Sequence, residues 1–394
     1  MIRVLLLLPQ AALLALIGYN TITALWGWRD RRPAPAAPPL RLRVVVPAHD
    51  EERVIGGLLS DLAGQDHPAE MRSVFVVADR CQDRTAEIAA GAGAVVEERR
   101  EGEPGKGPAL SWHLQRHPLD PDETLVVFDA DNRIPPNTLS RISDEITSGH
   151  TVVQCYLDAT NPDASLVAEA AAMSYWAGNR MVQLARSNLG WTADLGGTGM
   201  AITSRALQEA GGFGDTLTED QDLGVRLLLA GHRVEWVHDV RVGDEKPASI
   251  GVTMRQRARW MAGKRAARRK HFLRLLSRPT PARVDMAVRL VQPGRSFVAL
   301  LSTLLAAVAG IWPSSLLMPW WVWGGAAAIQ FLQPVPYLAR EGIGWRRIAG
   351  YPALALLAAL WIPIRLLSGR VQGWYHTPHT GDVSSSTPER DPGP

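Results

Sequence analysis

The 394-residue chain carries 42 Lys and Arg against 39 Asp and Glu, a formal net charge of +3, with 46% hydrophobic and 21% charged residues. That balance excludes whole-chain disorder, because it leaves enough apolar surface to build a packed core, and the length allows two or three folding units. The mean hydropathy of -0.05 is that of an ordinary soluble protein, but it hides apolar residues gathered toward the two ends.

From Val4 to Trp26 the one strongly polar side chain is Asn20, so the stretch is long enough to cross a hydrocarbon core as a helix. It exceeds the apolar part of a secretory signal and has no cleavage pattern, so residues 1–28 are read as an uncleaved anchor. Arg29, Arg31 and Arg32 come directly after it, and the positive-inside rule places the residues beyond Trp26 in the cytoplasm and the N-terminus outside. Residues 29–40, with the run RRPAPAAPP, form a stiff, polyproline-prone linker.

Leu42 to Val46 is a continuous apolar, β-branched run ending at Pro47, the pattern of a parallel strand buried on both faces. Helical spacing follows at Val54, Ile55, Leu58, Leu59 and Leu62. Further strands are expected at Val74 to Ala78, Ala94 to Val96 and Leu125 to Phe128, with helices at Thr85 to Ala90 and Lys106 to Arg116 between them. This alternation predicts an α/β fold over residues 41–248, with right-handed βαβ units in an open, doubly wound, mostly parallel sheet. Ligands of such sheets bind beyond the carboxyl ends of the strands.

Those ends are acidic. His49, Asp50, Glu51 and Glu52 follow the first strand, Asp79 and Asp83 the second, and Asp129 and Asp131 the run LVVF. One carboxylate at a strand end can cap the next helix, but three strands delivering acids to one edge repel each other unless a cation or donor groups neutralise them. Asp129 and Asp131 suit a hard divalent ion that also binds a diphosphate. Lys106, between Gly105 and Gly107, opens a helix whose N-terminus can add to anion binding, although no P-loop pattern is present.

Gly196-Gly197-Thr198-Gly199 could let a ligand approach the backbone closely, but taken alone it equally reads as a turn. Thr218-Glu219-Asp220 precedes the apolar helix Leu223 to Leu229. Capping by Thr218 or Asp220, with Asp222 favouring the dipole, explains only part of this acidic cluster. Asp220 is therefore a candidate general base. Cys81 and Cys155 have no metal-ligand spacing and read as packed thiols of a reducing compartment.

Arg255 to Lys270 holds eight Lys or Arg in sixteen residues. Residues 249–295 are read as basic interfacial helices meeting anionic lipid headgroups, rather than as a nucleic-acid surface. Within 296–370 three membrane segments are expected, at Phe297 to Met318, Trp320 to Leu338 and Ile348 to Leu367, the last interrupted by Pro352, Pro363 and Arg365. Trp320, Trp321 and Trp323 suit a membrane–water interface. Residues 371–394 form a tail whose end, from Gly381, has a disordered composition.

The order P-A-H-D-E-E, V-A-D, D-A-D, T-E-D and Q-R-A-R-W resembles the membrane-integrated family 2 glycosyltransferases, which include cellulose, hyaluronan and poly-N-acetylglucosamine synthases and ceramide glucosyltransferases. The resemblance covers about Arg43 to Lys264 and the flanking membrane segments. It leans to bacterial exopolysaccharide members through VVADRCQDRTAEIA, LGGTGM and QRARW. It implies a GT-A-like nucleotide-sugar-binding domain in which Pro47, Ala48, Glu51 and Asp79 line a pocket for uridine. Asp129 and Asp131 would bind the diphosphate through Mg2+ or Mn2+, and Lys106 would approach phosphate or acceptor. Glu219 and Asp220 would be catalytic, Asp220 as general base. Gln256, Arg259 and Trp260 would sit beneath the acceptor and near the pyrophosphate, with Gly197, Thr198 and Gly199 on the acceptor side.

Asp50 stands where many relatives carry Asn. Trp374 to Thr380 resembles a gating loop that lies over the nucleotide, which requires that Ile348 to Leu367 not cross the membrane fully. The implied function is inverting, metal-dependent sugar transfer from a UDP-sugar to a growing polysaccharide, by a multi-pass cell-membrane protein with a cytoplasmic catalytic domain. Few spans weigh against a self-contained secretion channel unless the protein forms a homo-oligomer or has an export partner. A second reading is single-sugar transfer to a polyprenyl phosphate or ceramide-like lipid. A third is a non-catalytic membrane or nucleic-acid-binding scaffold.

Overall fold

The computed structural model describes residues 2–214, 216, 218–314 and 316–354. Helix α1 (Ile2–Ala24) leads through a short 3-10 turn into the α/β core. There β1 (Arg41–Ala48), α2 (Ile55–Ala63), β2 (Arg72–Asp79), α3 (Thr85–Gly91), β3 (Val95–Arg99), α4 (Lys106–Arg116) and β4 (Glu123–Val127) alternate as expected. Then come α5 (Thr138–Thr147), β5 (Val152–Ala159), α6 (Leu166–Gly178), a π-helical turn at Asn179–Leu184, α7 (Ala185–Asn188), β6 (Met200–Thr203), α8 (Ser204–Glu209), α9 (Glu219–Ala230) and β7 (Val234–Asp244). The remaining elements are α10 (Ile250–Ser277), α11 (Pro281–Val291), α12 (Arg295–Ile311), α13 (Trp320–Leu332), α14 (Pro334–Arg340) and α15 (Trp345–Leu354).

The seven strands form one sheet in the order β3-β2-β1-β4-β6-β5-β7. Neighbours are parallel except β6, which runs antiparallel to both β4 and β5. The β-branched runs explain the arrangement. Val44, Val46, Val76 and Val126 pack on one face, and Val45, Val77, Leu125 and Val127 on the other. A strand buried on both faces needs helices on both sides, which the crossovers supply.

The structure interrupts the expected span Phe297 to Met318, while Trp320 to Leu338 runs as two helices joined through Gln333, whose dihedrals stay helical. Helix α12 stops at Ile311 before Pro313, and α13 ends at Leu332 where Pro334 opens α14. Proline lacks the N–H and clashes with the preceding turn, so apolar runs that hydropathy joins are divided. Among the described residues, only the helix over Leu5–Trp28 is by itself long and apolar enough to cross a membrane; α11 and α12 qualify only as a pair bent by 65°. The stretch from residue 355 onward, including most of Ile348 to Leu367 and the Trp374 to Thr380 motif, lies outside the described residues.

Polar side chains of α1 find partners on the C-terminal helices. Gln10 Nε2 donates to the Leu316 carbonyl at 2.9 Å and Gln10 Oε1 accepts from the Met318 N–H at 2.9 Å, while Asn20 Nδ2 reaches Gln292 Oε1 at 3.0 Å. The turn after α1 seats directly on the π-helical segment, so close that a Cβ on Gly27 would overlap the Arg180 carbonyl. Arg180 also pairs with Asp30 at 2.8 Å and with Glu341 at 2.5 Å. The fully buried Glu341 carboxylate takes His238 and Arg241 at 3.0 Å as well. Because His238 Nδ1 accepts from Trp236 Nε1 at 3.0 Å, its other nitrogen carries the proton that faces Glu341. Burial opposes the charge on Glu341, but His238 and Arg180 outweigh it and hold the carboxyl down at about 2.

Glu341→Gln leaves the buried Arg180 guanidinium short of its counter-charge. The expected loss is about 3–5 kcal/mol, read by thermal denaturation of the solubilised chain. Because the folded carboxyl is held low, its contribution is present above the ordinary glutamate range and fades as pH falls toward about 2, so the difference between wild type and variant should shrink in acid.

Candidate functional site

The acids at the strand ends divide into two groups. Asp50, which adopts a left-handed φ of 54°, accepts from the Gln82 N–H at 2.7 Å, and Asp83 accepts from the Glu52 and Thr85 N–H groups at 2.9 and 3.0 Å. These carboxylates join the loops after β1 and β2. Cys81 lies close enough to Asp50 and Asp83 for a three-ligand cluster, but burial pushes its thiol up to about 11. A protonated thiol is a poor metal ligand.

The second group faces a cleft of about 580 Å3 beyond the sheet. It is lined by Pro47, Ala48, Glu51, Asp79, Lys106, Asp129, Asp131, Gly197, Thr198, Glu219, Asp220, Gln256, Arg259 and Trp260. Of the site residues that the sequence resemblance implies, Gly199 alone is not on this wall. It packs on Val242, and its φ of 60° turns the chain into β6.

Asp79 is 6% exposed and already committed. Arg99, at the end of β3, donates to Asp79 Oδ1 at 2.7 Å and to the Glu103 carbonyl at 2.6 Å, and the Gly105 N–H lies 3.3 Å from Asp79 Oδ2. This anchors the loop that delivers Lys106. The Lys106 ammonium pairs with Asp129. Burial opposes its charge, yet Asp129 and Glu219 together raise its pKa.

The D-A-D turn is held from beneath. The Asp129 N–H donates to Thr198 Oγ1 at 2.9 Å, and the Thr198 hydroxyl donates to Asn132. Gln154, inside β5, fixes that glycine-rich loop: its Nε2 donates to the Thr198 carbonyl at 2.7 Å and its Oε1 accepts from the Gly196 N–H at 2.8 Å. Glycine is favoured at 197 by its φ of 82°; a Cβ there would make ordinary contacts, 3.4 Å from Asp220 Oδ2 and 3.7 Å from Lys106 Nζ.

Glu219 and Asp220 open α9, but Thr218 makes no side-chain cap. Its side chain packs against Gly263 of α10 so tightly that a Cβ there would overlap it. Asp222 is structural: it accepts from Arg226 at 2.7 Å and His271 at 2.8 Å. Burial works against its charge, but these partners hold its carboxyl well below the usual range. Asp220 differs. Burial first, then the neighbouring Glu219, push it up to about 7, and burial likewise raises Glu219.

Tyr175 and Lys246 also line the cleft. Lys246 follows Asp244 and Glu245 at the end of β7, one more acidic strand end that the same reading of the sequence would have flagged. Nine acidic side chains face four Lys or Arg around the cleft, so it has a surplus of negative charge and of oxygen donors. Asp129 and Asp131 therefore fit a hard divalent cation.

Residues 38–263 match the model of the glycosyltransferase-like family 2. A beta-monoglucosyldiacylglycerol synthase of Synechocystis sp. is 26% identical over 252 residues, 58% of this chain and 49% of that protein. A probable glucomannan 4-beta-mannosyltransferase of Arabidopsis thaliana is 30% identical over 174 residues, 43% of this chain and 31% of that protein. The chain thus spans half or less of the length of these relatives. A mannosyltransferase from Pyrobaculum calidifontis, solved with GDP-Man and Mn2+, superposes with a TM-score of 0.63 at 19% identity, covering 93% of this chain and 99% of that one. At that identity the likeness shows a shared GT-A-like α/β fold. The chain belongs to the glycosyltransferase-like family 2.

Gly93 and Gly197 have nearly the same positive φ, but an added Cβ on Gly93 meets nothing within 4 Å. Alanine at either position should cost about 1–2 kcal/mol of stability through the backbone. Only Gly197→Ala should slow sugar transfer, by roughly tenfold to a hundredfold, because Gly197 lines the cleft and relief of its backbone strain shifts that wall. Steady-state rates and melting curves of the two variants check this.

Proposed function

We propose that the protein is a membrane-bound, inverting glycosyltransferase that moves a sugar from a nucleotide sugar, UDP-linked by the sequence resemblance, to a hydroxyl acceptor. The observation that carries this reading is the convergence of Asp129, Asp131, Lys106, Arg259 and Asp220 on one cleft. Pro47, Ala48, Glu51 and Asp79 are read as the nucleotide end, where Arg99 holds Asp79 as an oriented hydrogen-bond acceptor. Asp129 and Asp131 would hold Mg2+ or Mn2+, which supplies positive charge to the leaving diphosphate when bound. Lys106 and Arg259 add fixed positive charge on the same side of the reaction, and such preorganised charge is usually the largest catalytic contribution.

Asp220 takes the proton from the acceptor hydroxyl as that oxygen attacks the anomeric carbon. Its raised pKa suits a base that works near neutral pH. One displacement inverts the anomeric centre, so an α-linked donor gives a β-linked product and no sugar–enzyme intermediate forms. Trp260 and Gln256 form the floor on which the acceptor rests. The acceptor is a growing polysaccharide or a lipid. The lipid reading is supported by the apolar side chains of Leu157, Ala171 and Val252 in the cleft wall and by the name of the Synechocystis relative. The mass of the product separates the two, since a lipid acceptor gains one sugar and a polysaccharide yields a ladder.

Asp220→Asn should lower kcat by about 10²–10⁴-fold while the protein still binds nucleotide sugar; transfer at the wild-type rate would refute the base assignment. The base acts only when deprotonated, so kcat/KM of the wild type should rise with pH through about 7 and level off above it. The residual activity of Asp220→Asn should lack that acid limb.

A further inference from the structure

We infer that the cleft contains a second anion subsite, built by Arg257 with Tyr175 and Lys246, that binds a phosphate or phosphodiester carried by the acceptor beside its attacking hydroxyl. The inference rests on the sugar-transfer reading and deepens it by assigning the chemical class of the acceptor.

The cations of the cleft carry the argument. Lys106 pairs with Asp129, and Lys246 with Asp244 at 2.6 Å. Arg259 faces the charges of Glu219 and Asp220. Arg257 also lines the cleft, but it has no ion pair or hydrogen bond among the described residues, and burial lowers its pKa. A guanidinium held out of bulk water without a counter-charge is costly. A ligand that brings the negative charge removes the cost. The planar fork of arginine matches phosphate oxygens two at a time.

The wall on which Lys246 sits is rigid. Tyr175 of α6 lines the cleft with Arg257. Lys246 is 2% exposed and lies 3.7 Å from the centroid of the Tyr175 ring. The Lys246 backbone is clamped by Asn161, which donates to its carbonyl at 2.8 Å and accepts from its N–H at 2.7 Å. Such a clamp preorganises the wall instead of leaving a mobile surface lysine. Tyr175, Arg257 and Asp220 line the same cleft, so an anion bound here shares it with the base and the attacking hydroxyl. Ala171 of α6 and Val252 of α10 add apolar side chains to the same wall. The donor's diphosphate is already served by Asp129 and Asp131 with their cation, Lys106 and Arg259, which leaves Arg257 for the acceptor.

The test uses the solubilised full chain with nucleotide sugar and Mn2+, and compares three acceptors: diacylglycerol, phosphatidylglycerol with the same acyl chains, and sn-glycerol 3-phosphate. Wild type is expected to favour a phosphate-bearing acceptor over diacylglycerol by tenfold or more in kcat/KM. Preference for phosphatidylglycerol assigns the anion to a lipid headgroup, and preference for glycerol phosphate assigns it to a soluble acceptor. Arg257→Gln should lower the anionic-to-neutral ratio by tenfold or more while the donor KM moves less than twofold, and Arg257→Lys should restore part of the ratio. An unchanged ratio overturns the proposal, as does a donor KM that rises as far as the ratio falls, which would assign Arg257 to the diphosphate. Release of nucleoside diphosphate by the wild type with water as acceptor reports separately on the sugar-transfer reading; its absence with every nucleotide sugar overturns that reading and this subsite with it.

Discussion

Carboxylate crowding at one edge of the sheet is the constraint on which the rest of the structure depends, and the Lys106–Asp129 ion pair is its centre. Asp129, Glu219 and Asp220 come from two different elements and would repel one another in a partly dry cleft. A single ammonium lies within reach of all three. Its delivery explains several features at once. Gly105, at a φ of 125°, turns the chain into α4, Arg99 and Asp79 hold the loop ahead of it, and Gly197 lies beside both Lys106 and Asp220. Even so, the acids outnumber the cations, which is why the cleft suits a divalent ion and an anionic substrate together.

The same device recurs where the elements dock. Asp285 is fully buried and shared by Arg186 at 3.0 Å, Arg289 at 2.9 Å and the Tyr19 hydroxyl at 2.6 Å, so α1, α7 and α11 meet on one carboxylate. Glu341 performs the corresponding task for α14, β7 and the turn after α6. Buried pairs of this kind add little net stability over well-packed apolar groups, but mispairing them is costly, so they select one arrangement. Packing of the same kind shapes the cleft, because α10 carries Gln256, Arg259 and Trp260 of its wall and is positioned against α9 by Asp222 and by the close approach of Thr218 to Gly263.

Much of this was legible in the sequence, for physical reasons that differ by element. The strands β1, β2 and β4 announce themselves because parallel strands buried on both faces need unbroken apolar, β-branched runs. The strand β5 is harder to read because Gln154 interrupts its apolar run, and that amide is spent inside the protein on the Gly196–Thr198 backbone. The strand β6 is four residues long, and β7 alternates polar and apolar side chains. Short ordered motifs located most of the cleft. Arg99 did not stand out because its partner Asp79 lies on another strand, and Tyr175 and Arg257 acquire meaning only once α6 and α10 are folded together. Hydropathy alone joined Phe297 to Met318 into one span because it averages across Pro313, where α12 has ended.

The most direct test of the central claim is release of nucleoside diphosphate from a panel of UDP- and GDP-sugars, measured on the solubilised chain with Mn2+ and again after chelation. The account predicts turnover of at least one nucleotide sugar that is lost on chelation and restored by added Mn2+ or Mg2+. Turnover indifferent to chelation, or none with any sugar nucleotide in the presence of metal, would contradict it.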